Sequence, residues 1–234
     1  MLLARVGVVI PAAGQGRRMG APVNKLFLEL GGLPVLAWAL RMFEASFYVD
    51  EIVVVGAPED LPKIQELIDK HRVAKISALP PGGACRQESV LAGVRALSPA
   101  TQRVVVHDGA RPLLTLTAFH RFLEAAAVFP AAVMAVPVKD TIKEVDADEC
   151  VTRTLVRENL RAVQTPQIFD RCLLLAAHEH ALSRGFWATD DASLVEFYGE
   201  AVRVIAGDPQ NIKVTTPEDL WLAEQILLHR SAAL

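Results

Sequence analysis

Residues 6–25 read Val-Gly-Val-Val-Ile-Pro-Ala-Ala-Gly-Gln-Gly-Arg-Arg-Met-Gly-Ala-Pro-Val-Asn-Lys. The apolar run Val6–Ile10 has the length and composition of a strand buried on both faces. It empties into a loop of small residues that carries Arg17, Arg18 and Lys25. Gly14 and Gly16 let backbone N–H groups come close to phosphate oxygens, and the cations supply charge where a polyanion must sit. Such a loop suits a nucleoside triphosphate. Arg18 and Lys25 are the pair best suited to a phosphoryl-type transition state.

Two other glycine-rich loops are excluded by spacing. A Walker P-loop requires Gly-Lys followed by Ser or Thr, which is absent after these glycines. A dinucleotide fingerprint requires a third glycine where this chain has Met19, and an acidic residue where it has Gly56-Ala57-Pro58. The plain alternative is a strand–turn–helix junction with solvated arginines.

Outward from this loop, strand-like runs alternate with amphipathic stretches. Val6–Ile10, Ile52–Val55, Val73–Leu79, Val104–His107 and Ala131–Val136 read as strands. Between them, helices are expected near Pro34–Ala45, Asp60–His71, Gln87–Leu97 and Leu116–Ala127. The alternation predicts an α/β fold, a Rossmann-like, mainly parallel twisted sheet with helices on both faces. Ligands of such sheets bind beyond the strand carboxyl ends. The first loop, Gly82-Gly83 and His107-Asp108-Gly109-Ala110-Arg111-Pro112 should therefore converge on one crevice.

From Pro137 to about Ala162 the pattern changes, and two polar strands around the acidic turn Asp146–Glu149 make a projecting β-arm at about 138–161. So long an excursion with little apolar surface is expected to dock on a partner subunit; a disordered loop is the alternative. Helix resumes at Asp170–Ser183, a strand follows at Ala201–Ile205, and an amphipathic helix at Pro217–Leu228 closes the chain. No repeat or linker interrupts it, so residues 1–234 are read as one domain with one arm.

Composition bounds the partners. A formal net charge of −3 offers no global basic field for nucleic acid, so an anionic ligand must be held by local cations. Cys85, Cys150 and Cys172 are scattered and odd in number, which argues against disulfides or a zinc site and for a reducing compartment. The chain opens directly into a strand without a leader pattern, and no run reaches the ~18–20 apolar residues of a membrane span. A cytoplasmic protein with no membrane contact is expected.

Further polar residues stand where a core would not want them. Asp108 ends a strand and is a natural Mg²⁺ ligand beside a triphosphate, or else an Asx-turn. Arg111, before Pro112, could aim its guanidinium into the crevice. Thr189 or Asp190 could cap the helix they open or face an anion. Lys213 alone reads as a solvated lysine.

Taken together these segments resemble one family, the 2-C-methyl-D-erythritol 4-phosphate cytidylyltransferases of the non-mevalonate isoprenoid pathway. The resemblance runs from Pro11-Ala12-Ala13-Gly14-x-Gly-x-Arg18-Met19 through Lys25, Gly82-Gly83 and Arg86-Gln87-Glu88-Ser89-Val90 to His107-Asp108-x-Ala110-Arg111-Pro112. It continues in Pro137-Val138-x-Asp140-Thr141-x-Lys143, Arg157, Gln164-Thr165-Pro166-Gln167, Thr189-Asp190-x-Ala192-Ser193 and Asn211-Ile212-Lys213-Val214-Thr215. Nearly the whole chain is covered.

The resemblance implies transfer of CMP from CTP to 2-C-methyl-D-erythritol 4-phosphate, by in-line attack of the acceptor phosphate on the α-phosphorus, with release of pyrophosphate. It assigns Arg18, Lys25 and Lys213 to catalysis and Asp108 to Mg²⁺ or another divalent cation. It assigns Pro11, Ala12, Ala13, Gly14, Gly16, Gly82, Gly83, Ser89 and Asp108 to the nucleotide. Arg111, Thr141, Arg157, Thr165 and Thr189 bind the polyol phosphate, with Thr141 and Arg157 on the arm of a neighbouring subunit, which implies a homodimer. A ribitol 5-phosphate cytidylyltransferase and a catalytically silent nucleotide-binding module are the alternatives. Members commonly carry Pro-Lys-Gln where Asn24-Lys25-Leu26 stands, and an acidic or polar pair where Ala84-Cys85 stands.

Three features are left aside. His178 and His180 point to different faces of a helix and read as surface histidines. Cys85 reads as a packing residue and Asp146–Glu149 as a solvated turn rather than a calcium loop.

Overall fold

The computed structural model describes residues 4–14 and 24–232; Gly16 and Arg18 lie outside the described residues. In chain order the strands and helices are β1 (Val6–Ala12), β2 (Glu29–Leu30), β3 (Leu33–Pro34), α1 (Val35–Ala45), β4 (Glu51–Gly56), α2 (Leu61–His71) and β5 (Ile76–Ala78). Then come α3 (Arg86–Ala96), β6 (Arg103–Val106), α4 (Leu116–Ala126), β7 (Ala131–Pro137), β8 (Lys143–Val145), β9 (Val151–Thr154) and β10 (Arg161–Asp170). The last four are α5 (Arg171–Ser183), α6 (Asp191–Tyr198), β11 (Arg203–Ala206) and α7 (Pro217–Ala232).

Seven strands form one sheet in the order β11-β7-β10-β6-β1-β4-β5. β1 pairs in parallel with β4 and with β6, while β10 runs antiparallel to both of its neighbours. The expected mainly parallel, Rossmann-like sheet is thus present. Successive side chains of a strand face opposite ways, and here both faces are covered. Val8, Ile10, Ile52 and Val54 pack with α1, α2 and α4, whereas Val9, Val53 and Val55 pack with α3. In α4 the buried residues Phe119, Phe122, Leu123 and Ala126 fall at i, i+3, i+4 and i+7, the spacing of one helix face.

One expectation needs correction. The strand expected from Val73 begins only at Ile76, because α2 ends on Arg72 in the left-handed region. The Val73 N–H then returns to the Ile68 carbonyl, so Val73 closes a helix rather than opening a strand. The stretch Arg161–Asp170, to which pattern alone assigns no element beyond the arm, is the ten-residue strand β10 near the middle of the sheet.

β8 and β9 form the antiparallel hairpin expected of the arm, exposed along its length. Asp146 Oδ1 accepts from the Asp148 and Cys150 N–H groups, which closes the acidic turn.

Candidate active site

The chain travels β1, β4, β5 to one side of β1, then returns to place β6 on the other. That reversal opens a crevice beyond the carboxyl ends of β1 and β6. Pro11, Ala12, Ala13 and Gly14 leave β1 there, Gly82 and Gly83 arrive after β5, and Asp108 follows β6. All of them, with Lys25, Ser89 and Lys213, line one cleft of about 630 Å³. The crevice expected from the strand-end motifs is formed.

The far wall of this cleft is a tight loop. A Cβ on Gly82 would stand 2.4 Å from the Ala13 Cβ and 2.9 Å from Ser89 Oγ, so only glycine lets the backbones approach this closely. The Ser89 hydroxyl donates to the Cys85 carbonyl and accepts from the Gly83 N–H, at 2.9 and 3.2 Å. It therefore holds the glycine loop in shape. Glu88 accepts from the Ala84 N–H at 2.7 Å and completes the entry into α3.

On the opposite wall, the Lys25 ammonium donates to the Val214 carbonyl at 2.9 Å. Val214 N–H in turn donates to the Ala110 carbonyl at 2.8 Å. These bonds tie the loop before α7 to the loop after β6, and so bring Lys213 to Asp108 although 105 residues separate them in sequence. Lys213 is not a solvated lysine: its Nζ lies 2.7 Å from Asp108 Oδ2. Arg86 Nε donates to Asp108 Oδ1 at 3.4 Å. Burial alone would raise the Asp108 carboxyl, but Arg86, Lys213 and Arg111 together hold it well below the usual carboxylate range.

A second cleft, about 430 Å³, adjoins the first and shares Arg86, Asp108 and Lys213 with it. Arg111, Thr165 and Thr189 line it. The Arg111 guanidinium donates to the Asn211 carbonyl at 2.7 Å while its Nε stays buried without a hydrogen bond. Thr165 Oγ1 accepts from the Asp108 N–H at 3.0 Å and meets His107 Nδ1 at 3.2 Å, which links β10 to the end of β6. Asp190 rather than Thr189 caps α6, accepting from the Ser193 N–H, so Thr189 stays exposed at the cleft.

Thr141 and Arg157 line neither cleft of their own chain. Both are exposed beside the hairpin, where Arg157 donates to the Lys139 carbonyl at 3.1 Å. The reading of His178 as a surface residue is overturned: it is fully buried, and only Glu179 beside it is exposed.

The motifs contain three further residues whose place they did not reveal. Arg86 stands in Arg86-Gln87-Glu88-Ser89, and Asp191 is the unassigned position between Asp190 and Ala192. Gln167 accepts from the Ala192 N–H and donates to Asp190, which fixes the start of α6 against β10.

Among the described residues, no three His, Cys, Asp or Glu side chains gather as a metal site. A divalent cation at the edge shared by the two clefts would find the carboxylate of Asp108. That fits Mg²⁺, which is commonly held by one or two carboxylates together with substrate phosphates.

Comparison with known proteins agrees with this geometry. A family model described as IspD, 2-C-methyl-D-erythritol 4-phosphate cytidylyltransferase, matches residues 6–229. The enzyme of that name from Halalkalibacterium halodurans is 48% identical over 223 residues, covering 95% of this chain and 97% of its own length. The one from Pelotomaculum thermopropionicum is 46% identical over 231 residues, covering 98% and 97%. A crystal structure of 4-diphosphocytidyl-2C-methyl-D-erythritol synthase from Anaerococcus prevotii superposes with a TM-score of 0.86 at 33% identity, covering 96% of this chain and 99% of that one.

Proposed function

The chain belongs to the 2-C-methyl-D-erythritol 4-phosphate cytidylyltransferase family, and on that premise we propose how its residues divide the work of the reaction. It is a nucleotidyltransferase of isoprenoid precursor biosynthesis, transferring CMP from CTP to 2-C-methyl-D-erythritol 4-phosphate. The observation that carries the division of labour is the pair of adjoining clefts that share Arg86, Asp108 and Lys213.

CTP occupies the larger cleft, with its base against the backbone of Ala12, Ala13, Gly82 and Gly83. Ser89 acts on the base through the loop it holds. The acceptor occupies the smaller cleft, its phosphate drawn by Arg111 and its polyol by Thr165 and Thr189. The α-phosphorus then lies at the junction, where Lys213 can reach both the CTP phosphate and the incoming one. An acceptor phosphate oxygen attacks the α-phosphorus, the bond to the bridging oxygen breaks, and pyrophosphate departs from the opposite side. The acceptor is already anionic, so no protein nucleophile is required. The barrier lies in bringing two anions together and in charge on the pentavalent centre. Arg18 and Lys25 serve the triphosphate side of that charge.

Asp108 would hold Mg²⁺ together with the phosphates of CTP, giving up Lys213 as it does so. The ion, when bound, neutralises phosphate charge.

The arm is proposed to complete the acceptor site of a second subunit in a homodimer, which brings Thr141 and Arg157 to that site. Val145, Val151 and Val156 support this, being exposed on a hairpin region with no core of its own. A two-stranded hairpin is marginal without a surface to lie on. Among the described residues no helix is long and apolar enough to cross a membrane. The three cysteines are free, which supports a reducing, cytoplasmic setting.

The test is pyrophosphate release from CTP and Mg²⁺ with 2-C-methyl-D-erythritol 4-phosphate, beside ribitol 5-phosphate and an ATP control. Release with CTP and the methylerythritol acceptor alone is expected. Release with ribitol phosphate instead would overturn the acceptor, and no release from folded, CTP-binding protein would overturn the reaction.

A further inference from the structure

Beneath the junction of the two clefts lies a charged group that the reaction does not explain. Asp191, the first residue of α6, is 0% exposed. The Arg86 Nη2 stands 2.8 Å from its Oδ2, and His178 Nε2 lies 3.9 Å from its Oδ1. Among the described residues, neither carboxylate oxygen has an aligned hydrogen-bond donor, and neither ring nitrogen of His178 has a hydrogen-bond partner. Burial, together with Arg86 and Arg95, favours the neutral imidazole of His178, although Asp191 favours the charged one; the balance falls below the ordinary histidine value. Arg86 is therefore the cation on which the Asp191 carboxylate depends.

Arg86 is thus a bridge, with Nη2 toward Asp191 below and Nε toward Asp108 above. Its backbone is fixed as the first residue of α3. Lys213 differs: its side chain is 38% exposed, and Asp108 is its ion-pair partner. Of the two cations paired with Asp108 among the described residues, Arg86 is anchored from below and Lys213 is able to leave.

We propose that Asp191 is a positioning residue for the transfer, anchoring Arg86 against Asp108 so that Lys213 is the cation released to the phosphates. This rests on the cytidylyl-transfer reading of the two clefts. An untethered Arg86 would turn its fork onto substrate phosphates, to which guanidinium binds bidentately, and would leave Asp108 to retain Lys213.

The experiment is a double-variant cycle with Arg86→Gln and Asp191→Asn. Thermal unfolding is measured without metal or nucleotide, and kcat and KM with CTP, Mg²⁺ and the methylerythritol acceptor. Arg86→Gln leaves a buried carboxylate unpaired, and its Tm is expected to fall by roughly 5–15 °C. Adding Asp191→Asn removes the stranded charge and should return most of that loss, rescuing even a single variant that fails to fold. Asp191→Asn alone should lower kcat by on the order of 10–100-fold, the usual size for a partner that orients a ligating side chain, with the KM for CTP little changed. The double variant should be no slower than Arg86→Gln.

A folded Asp191→Asn protein with native kcat would overturn the role, as would rate losses that multiply or a double variant that regains no stability. Absence of turnover in the unaltered protein would instead overturn the transfer reaction, and this role with it. The metal-free unfolding data distinguish that case, since they report the Arg86–Asp191 coupling without any turnover.

Discussion

Lys213 shows how a residue's meaning depends on its neighbours. Alone in sequence it is one of seven lysines; at 2.7 Å from Asp108, on the shared edge of two clefts, it is the cation proposed above to reach the α-phosphate. Lys213→Ala should fold, because the side chain is partly exposed and Arg86 remains on Asp108, but kcat should drop by roughly 10²–10³-fold, the cost of losing one transition-state donor. Steady-state turnover beside a circular dichroism spectrum checks both halves, and near-native turnover would refute the role. His107 behaves differently. Burial lowers its pKa from 6.5 to about 4, although the Arg111 carbonyl favours the proton. A histidine whose folded pKa is depressed contributes full stability above its unfolded value and loses it as pH falls toward the folded one. Stability should therefore decline between pH 6.5 and 4, with His107 accounting for roughly 3 kcal/mol at the lower end. Urea unfolding at pH 7, 5.5 and 4 should show a shallower decline for His107→Gln than for the unaltered protein; identical slopes would place the loss elsewhere.

Among the elements, α3 and β10 illustrate opposite degrees of legibility. α3 follows from its sequence, yet the closeness of its packing does not. A Cβ on Gly93 would lie 2.4 Å from Val9 Cγ1 and 2.9 Å from Val55 Cγ2, both on stiff side chains in the core. Alanine would gain about 1 kcal/mol of helix propensity, but overpacking costs about 1–3 kcal/mol, so Gly93→Ala should be destabilising on balance. A fall in the urea midpoint at unchanged m-value checks this, and a rise would mean that α3 can move off the sheet. β10 escaped a reading by pattern because Gln164, Thr165, Pro166 and Gln167 interrupt its apolar alternation, and proline cannot donate to a ladder. The strand accommodates them by a register shift between Val163 and Gln167. Those polar residues then serve the second cleft: Thr165 bonds to the end of β6, and Gln167 to the start of α6. Rules of strand composition fail here because the strand lines a site as well as a core.

For the whole molecule, the proposed homodimer makes a prediction about how one active site is assembled. The smaller cleft is lined by Arg111, Thr165 and Thr189 but by neither Thr141 nor Arg157 of the same chain. If the arm serves a partner's site, mixing an inactive Arg18→Ala subunit with an inactive Arg157→Ala subunit should restore activity. Random pairing makes about half the dimers mixed, each with one intact site, so roughly a quarter of native turnover is expected. No recovery from demonstrated heterodimers would return Arg157 to its own subunit's site. Separately, Arg157→Ala homodimers should raise the KM for the polyol phosphate far more than that for CTP; equal effects would remove Arg157 from the acceptor.

By itself the sequence determined the parallel β–α order, the glycine loops, the polar arm and the roster of candidate residues, because these depend on local periodicity and on residue types at short spacing. Only the tertiary structure decided that β10 enters the sheet between β6 and β7, that His178 is buried, and that Lys213 and Arg86 meet on Asp108. Asp191 makes the contrast plainest. In sequence it is an unassigned position beside a helix cap, and in the fold it is a buried carboxylate beneath the junction of two clefts. A charge acquires that significance only from the groups brought within a few ångströms of it and the water excluded around it, neither of which is a local property of the chain.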